Sequence, residues 1–322
     1  MDSDLLTRYR RGLSIGLALG VLTYGGLSLR AEFDRVLEHL RTFEWWLLVP
    51  VLGLSLGNYG IRFVRWEYYL RKLAVQVPWK TSLSIFLAGL SMTITPGKAG
   101  ELLKTLLLKE TVGTPLMRSA SVVVAERLTD FIALVLLAGV GIGSYYPEQR
   151  GWLMVLLLAL LGGVLLLNSA RLSLGVLAVL AKLPGMGRLV PRLEEAYRAT
   201  AYLLALKPLT LGVMLSAIAW FAECLGYYMV FNGHGVDASL RVCTFLYSFS
   251  TIVGVVSPGG LVVTDASLGE GARLLIPGLS ASLATAAAFV IRLCTLWFAV
   301  LIGSLVLLRF RGPVLERLPR DP

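Results

Sequence analysis

Charged residues inside an apolar run are the first place to look for chemistry, because hydrocarbon penalises them and they turn toward a bundle interior, a partner or a ligand. Glu126, Arg127 and Asp130 stand together in such a run, 120–146. Arg127 and Asp130 are three apart, so they share a helix face and can pair. A guanidinium also offers two parallel N–H donors, the geometry that holds a phosphate. The trio therefore has two readings: an internally neutralised cluster that orients its helix, or a phosphate site centred on Arg127. Arg292 is the only charge in 281–308, so nothing acidic on its own helix can neutralise it. Its partner must come from elsewhere, and Asp265, Glu270 and a lipid phosphate are the candidates.

A second group of polar residues surrounds a helix break, Thr95-Pro96-Gly97-Lys98-Ala99-Gly100-Glu101. Proline has no N–H to donate and glycine frees the backbone to turn, so Pro96-Gly97 ends the incoming helix. In hydrocarbon such a break is tolerated only where protein or a wet cavity satisfies the exposed amides, which predicts that it lines a cavity. Glu101 opens the returning helix, where an anion is favoured, and with Lys98 and Lys104 alongside the same place could receive a phosphate headgroup. Glu101 as a simple cap of its own helix is the plainer reading. Ser257-Pro258-Gly259-Gly260 repeats the arrangement downstream, followed by Thr264-Asp265-Ala266-Ser267, where Asp265 is expected to cap the next helix.

The elements that must position these residues follow from composition. Of 322 residues 56% are hydrophobic and only 16% charged, with mean hydropathy +0.74. No ordinary water-soluble domain has this balance, so the chain is read as an all-α polytopic membrane protein. Runs long enough to cross a bilayer lie at 12–29, 45–61, 120–146, 151–167, 209–231 and 280–308, about 20 residues each. The first is read as an uncleaved span, since Leu29-Arg30-Ala31 is a poor cleavage site. Two interrupted runs, 82–108 and 242–276, read as re-entrant helical hairpins turning at the Pro-Gly pairs. The net charge of +10 is carried by loops between apolar runs, which points to topology and anionic lipid and away from nucleic acid. Cys224, Cys243 and Cys294 fall in apolar segments without a CxxC, and are read as core residues.

With the Arg-rich amino end in the cytoplasm, alternate crossings place Arg62, Arg65, Arg71, Lys72 and Lys80, the segment from Arg171 to Lys207, and the basic tail all on the inner side, as the positive-inside rule requires. The chain also repeats itself. Tyr68-Tyr69 and Phe86 match Tyr227-Tyr228 and Phe245, 159 positions on, while Gly113 and Arg127-Leu128 match Gly278 and Arg292-Leu293, 165 positions on. Crossing parity inverts one copy against the other, a common build for transporters. The expected organisation is one transmembrane domain, 1–322: first span and outer loop to 44, repeat one at 45–146, a connecting span and cytoplasmic amphipathic segment at 147–207, repeat two at 208–311, and a basic tail at 312–322.

The break with Lys98 and Glu101, then Glu126-Arg127-Leu128-Thr129-Asp130, then Pro258-Gly259-Gly260 with Thr264-Asp265-Ala266-Ser267-Leu268, resemble the membrane region of lysylphosphatidylglycerol synthases, in its stand-alone form. The resemblance covers most of the chain and implies a lipid-handling membrane domain, regarded in the synthases as a flippase. Asp265 departs from it, standing where an acidic residue, often Glu, is expected. The sequence ends at Pro322, a short basic tail after the last run, so the soluble aminoacyl-transferring domain of the synthases has no counterpart and that activity is not expected.

The leading expectation is a flippase for an anionic or polyprenyl-linked lipid in the cell (inner) membrane, both termini cytoplasmic, with the headgroup between the two breaks. No GxxxxGK loop occurs and no cofactor or metal is expected. A membrane enzyme is the alternative, with Glu32 and Asp34 as a metal-binding acidic pair or Ser257 as a phosphatase nucleophile. Neither His39 nor His234 is near Ser257 in sequence, and no Ser-Arg-Ser run follows the Pro-Gly. A third reading is an accessory subunit of a separate lipid synthase or glycosyltransferase.

Overall fold

A computed structural model describes residues 33–94, 102–145, 150–168, 190–256 and 260–309. The expected first span 12–29, much of the amphipathic segment and the basic tail lie outside these residues. All regular structure among them is helical: α1 Phe33–Thr42, α2 Leu48–Lys72, α3 Trp79–Leu90, α4 Leu103–Val112, α5 Leu116–Tyr145, α6 Arg150–Asn168, α7 Val190–Leu203, α8 Leu206–Gly233, α9 Leu240–Val253, α10 Leu261–Leu275, α11 Ala281–Arg292 and α12 Phe298–Arg309. A π-helical turn, Leu293–Trp297, joins α11 to α12. Among the described residues three stretches are long and apolar enough to cross a membrane: Trp45–Lys72, Leu206–Gly233 and Ala281–Arg309.

The order long, short, short, long occurs twice, as α2 to α5 and as α8 to α12. α2 packs against α8, α3 against α12, and α9 against α5. Exchanging the two sets interchanges the α3–α12 and α9–α5 contacts and returns the α2–α8 contact to itself. Gly113 and Gly278 hold corresponding places after α4 and α10, with φ of 72° and 74°, a left-handed conformation that glycine adopts without steric cost. Ser239 and Ser280 cap α9 and α11, accepting from the amides of Arg241 and Leu283, as N-cap serines do.

Two large apolar cores, with smaller clusters beside them, hold the helices together. One gathers Trp220, Tyr227, Phe231, Leu246, Tyr247 and Ile291, the other Trp66, Tyr69, Phe86, Leu108, Leu203 and Leu204. Small residues allow the closest approaches. A Cβ on Gly303 would meet the backbone of Leu90 and Ser91, and one on Gly212 the Tyr69 hydroxyl, so α12 on α3 and α8 on α2 need glycine there.

The apolar run 45–61 suggested that α2 ends near Ile61 and releases Arg62 and Arg65 into a loop. The helix instead continues to Lys72. Ser55, Asn58, Arg62, Arg65 and Tyr69 fall at spacings of three or four and are all buried, a polar stripe facing the other helices. Arg62 and Arg65 are thus interior charges; the positive-inside reading mistook them for topology signals because their charge ended the apolar window.

Candidate functional site

The interior charges sort into two neighbouring groups. In the first, Arg65 of α2 is fully buried and its Nη1 meets Asp130 Oδ1 at 2.6 Å and Thr129 Oγ1 at 3.2 Å, and also donates to the Ser216 hydroxyl. Its Nη2 stands 3.8 Å from Glu126 Oε1. The other Glu126 oxygen accepts from Lys104 Nζ at 2.6 Å, and that ammonium sits 4.6 Å above the Trp66 ring. Four helices contribute to this network, α2, α4, α5 and α8. Mutual pairing is what lets such charges be buried.

The second group surrounds a cavity of about 230 Å³. Arg62 from α2, Arg127 from α5 and Arg292 from α11 all line it, together with the carboxylates of Asp130 and Glu223. Arg127 Nη2 lies 2.9 Å from Asp130 Oδ2. Arg292 Nε lies 2.6 Å from Asp265 Oδ1, and its Nη2 donates to the Gly260 carbonyl at 3.4 Å. Gly260 itself is left-handed, φ 65°. Tyr247 donates its hydroxyl to Glu223 Oε2 at 3.4 Å, and Tyr59 donates to the carbonyl of Thr295, in the π turn, at 2.8 Å. Asn58 donates to the Ala219 carbonyl at 2.7 Å, fixing α2 against α8 one turn before Glu223. Phe131, Leu134, Trp220, Leu296 and Ala299 supply apolar wall. Among the described residues the lining carries three guanidiniums and two carboxylates between apolar surfaces, an arrangement suited to an anion that enters out of water.

Of the residues to which the sequence pointed, Arg127, Asp130, Arg292 and Gly260 line this cavity, and Asp265 stands behind Arg292. Asp265 lies in the second turn of α10, whose N-cap is Gly260, so it anchors Arg292 and is not the helix cap it was expected to be. Glu126 and Lys104 belong to the neighbouring paired network. Glu270 pairs with Arg273 at 2.8 Å, at half-exposed positions. Lys98, Glu101, Pro96, Gly97, Pro258 and Gly259 lie outside the described residues, as does Ser257. Among the described residues, no group of three His, Cys, Asp or Glu gathers in a way that could hold a metal.

Sequence reasoning missed Arg62, Asn58, Tyr59, Glu223, Trp220 and Tyr247. For Glu223 the signal was available: it is the only charge in 209–231, the same argument that singled out Arg292. For Arg62 it was the helical spacing from Ser55 to Tyr69.

Comparison with known proteins agrees with a membrane protein of this kind. Residues 12–303 match the family model described as the lysylphosphatidylglycerol synthase TM region. Two proteins of Methanothermobacter thermautotrophicus, each called "UPF0104 membrane protein", align along nearly their whole length: one is 23% identical over 96% of this chain and 95% of its own, the other 25% identical over 95% and 97%. With a match running through every helix that builds the cavity, the chain belongs to the lysylphosphatidylglycerol synthase transmembrane-region family.

Proposed function

We propose that this protein moves an anionic or polyprenyl-linked phospholipid between the leaflets of the cell membrane, holding the headgroup in the cavity between α2, α5, α8 and α11. The observation that carries this reading is that Arg62, Arg127 and Arg292, from three different helices, line one cavity with apolar walls. Guanidinium–phosphate attraction strengthens in such a low-dielectric setting, while apolar tails can remain in hydrocarbon. In this reading α3 with α4, and α9 with α10, are re-entrant hairpins entering from opposite faces, and the two sets of helices form an inverted repeat that rocks around the site. Both termini are cytoplasmic, the substrate is a membrane lipid with no cofactor, and a separate synthase or glycosyltransferase supplies or uses that lipid. Family membership supports a lipid-related role.

Reconstitution of the full chain in vesicles containing fluorescent lipids tests the proposal. Movement between leaflets should exceed that of protein-free vesicles for at least one anionic or polyprenyl-linked lipid. No excess for any lipid in a broad panel overturns it.

A further inference from the structure

The cavity is not equally closed on all sides. Along α5 the Arg127 side chain is 26% exposed and Phe131 is half-buried, while Asp130 and, at the far end, Leu134 are 3% exposed. Along α9 and the 3-10 turn that follows, Tyr247 is 4% exposed, Thr251 half-buried and Gly254 buried, and the last lining residue, Val255, is 49% exposed. Leu134 and Tyr247 belong to one apolar core. The lining is therefore closed at the Leu134 and Tyr247 end and most exposed at Arg127 and Val255, the ends between which a cleft would lead into the cavity.

The sides of this cleft suit a chain of methylenes. Phe131 and Val255 are apolar, and Thr251 donates its hydroxyl to the Tyr247 carbonyl of its own helix at 2.7 Å, which satisfies its polar atom locally. Val124, three residues before Arg127 and so on nearly the same face, is an exposed apolar side chain beyond the lip. The charged groups are graded in depth. Arg127 stands at the lip, while Arg62 and Arg292 are buried further in. An amphiphile with an anionic head would meet Arg127 first and reach the deeper pair with its tails still in the cleft.

We infer that the cleft between α5 and α9 is the lateral doorway of the site, through which a lipid passes headgroup first while its acyl or isoprenoid chains lie along Phe131, Thr251 and Val255. This rests on the lipid-binding reading of the cavity. The test places a photo-crosslinking benzoylphenylalanine at position 131, 255 or 301 of the full chain in vesicles of phosphatidylethanolamine and phosphatidylglycerol. Leu301 is an exposed apolar control on α12. Cross-linking to phospholipid at 131 and 255 should fall about tenfold when Arg127→Ala is added, the scale expected for losing a hydrogen-bonded charge partner, and should not change at 301. Cross-linking at 131 and 255 that ignores Arg127→Ala, as annular lipid would, overturns the doorway. Binding of soluble sn-glycero-3-phosphoglycerol to the same variants separates the two ideas. Binding that needs Arg127 alongside insensitive cross-links removes the doorway and keeps the head site; absence of both effects removes both.

Discussion

Glu126 and Arg127 are adjacent in sequence and do opposite things. Successive residues of a helix point about 100° apart, so α5 turns Glu126 into the packed seam with Arg65 and Lys104 and Arg127 toward the cavity. Asp130 stands between, one oxygen on Arg65 and the other on Arg127. The two regions use the same chemistry, buried guanidiniums and carboxylates. They differ in closure: in the seam protein groups pack around every charge, whereas in the cavity three guanidiniums border open volume. A buried ion pair in itself signals structure; an ion pair with one side facing a cavity can exchange its partner for a ligand.

The contrast gives graded expectations. Breaking the seam should cost most. Glu126→Gln leaves the Lys104 ammonium buried without its carboxylate, a loss of about 3–5 kcal/mol, read as a fall in unfolding midpoint in detergent; adding Lys104→Met should recover much of it. Arg292→Ala should behave partly like a seam mutation, because it removes a guanidinium paired at 2.6 Å with Asp265, whose side chain is fully buried. Stability should return with Asp265→Asn while lipid movement does not. A loss of both that no second substitution repairs would make Arg292 purely structural. Gly212→Ala, which drives a Cβ into the Tyr69 hydroxyl between α8 and α2, should cost about 1–3 kcal/mol as overpacking does, without selectively affecting lipid binding.

The smallest expected effect lies at the end of α8, away from both regions. Burial, and then the nearby His39, hold His234 down to about 4 from 6.5, and its ring packs 4.8 Å from Phe43. The folded value is below the unfolded one, so the unfolded chain takes up the proton first. The contribution of neutral His234 is complete above pH 6.5 and is lost as pH falls toward 4. A modest drop of melting temperature across that window, absent in His234→Gln, is the expected result.

What could be read in advance follows the same division. The pairing of Arg127 with Asp130 came from a spacing of three, and the need of Arg292 for a partner on another helix came from its isolation among apolar residues; Asp265, one of the candidates named for it, is the one found. Local rules suffice where the interaction lies on one helix or where a charge has no local alternative. Arg65 and Arg62 were hidden because a hydropathy window cannot tell a helix leaving the apolar layer from one that carries charge on its inward stripe. The split between Glu126 and Arg127 was illegible for another reason: it depends on which neighbours α5 presents to each face, and Lys104, Arg65 and Ser216 come from three other helices.

Arg127 offers the cleanest separation of site from scaffold, because its removal leaves Asp130 paired with Arg65. The deciding measurement is the rate of lipid movement in vesicles bearing Arg127→Ala, normalised to folded protein and set beside its unfolding midpoint. The expected result is a loss of about tenfold or more in rate, the scale of a lost charge-assisted hydrogen bond, with a nearly unchanged midpoint. A rate equal to that of the unaltered protein, or one that falls only as far as folded protein is lost, would contradict a cavity built to hold an anionic head.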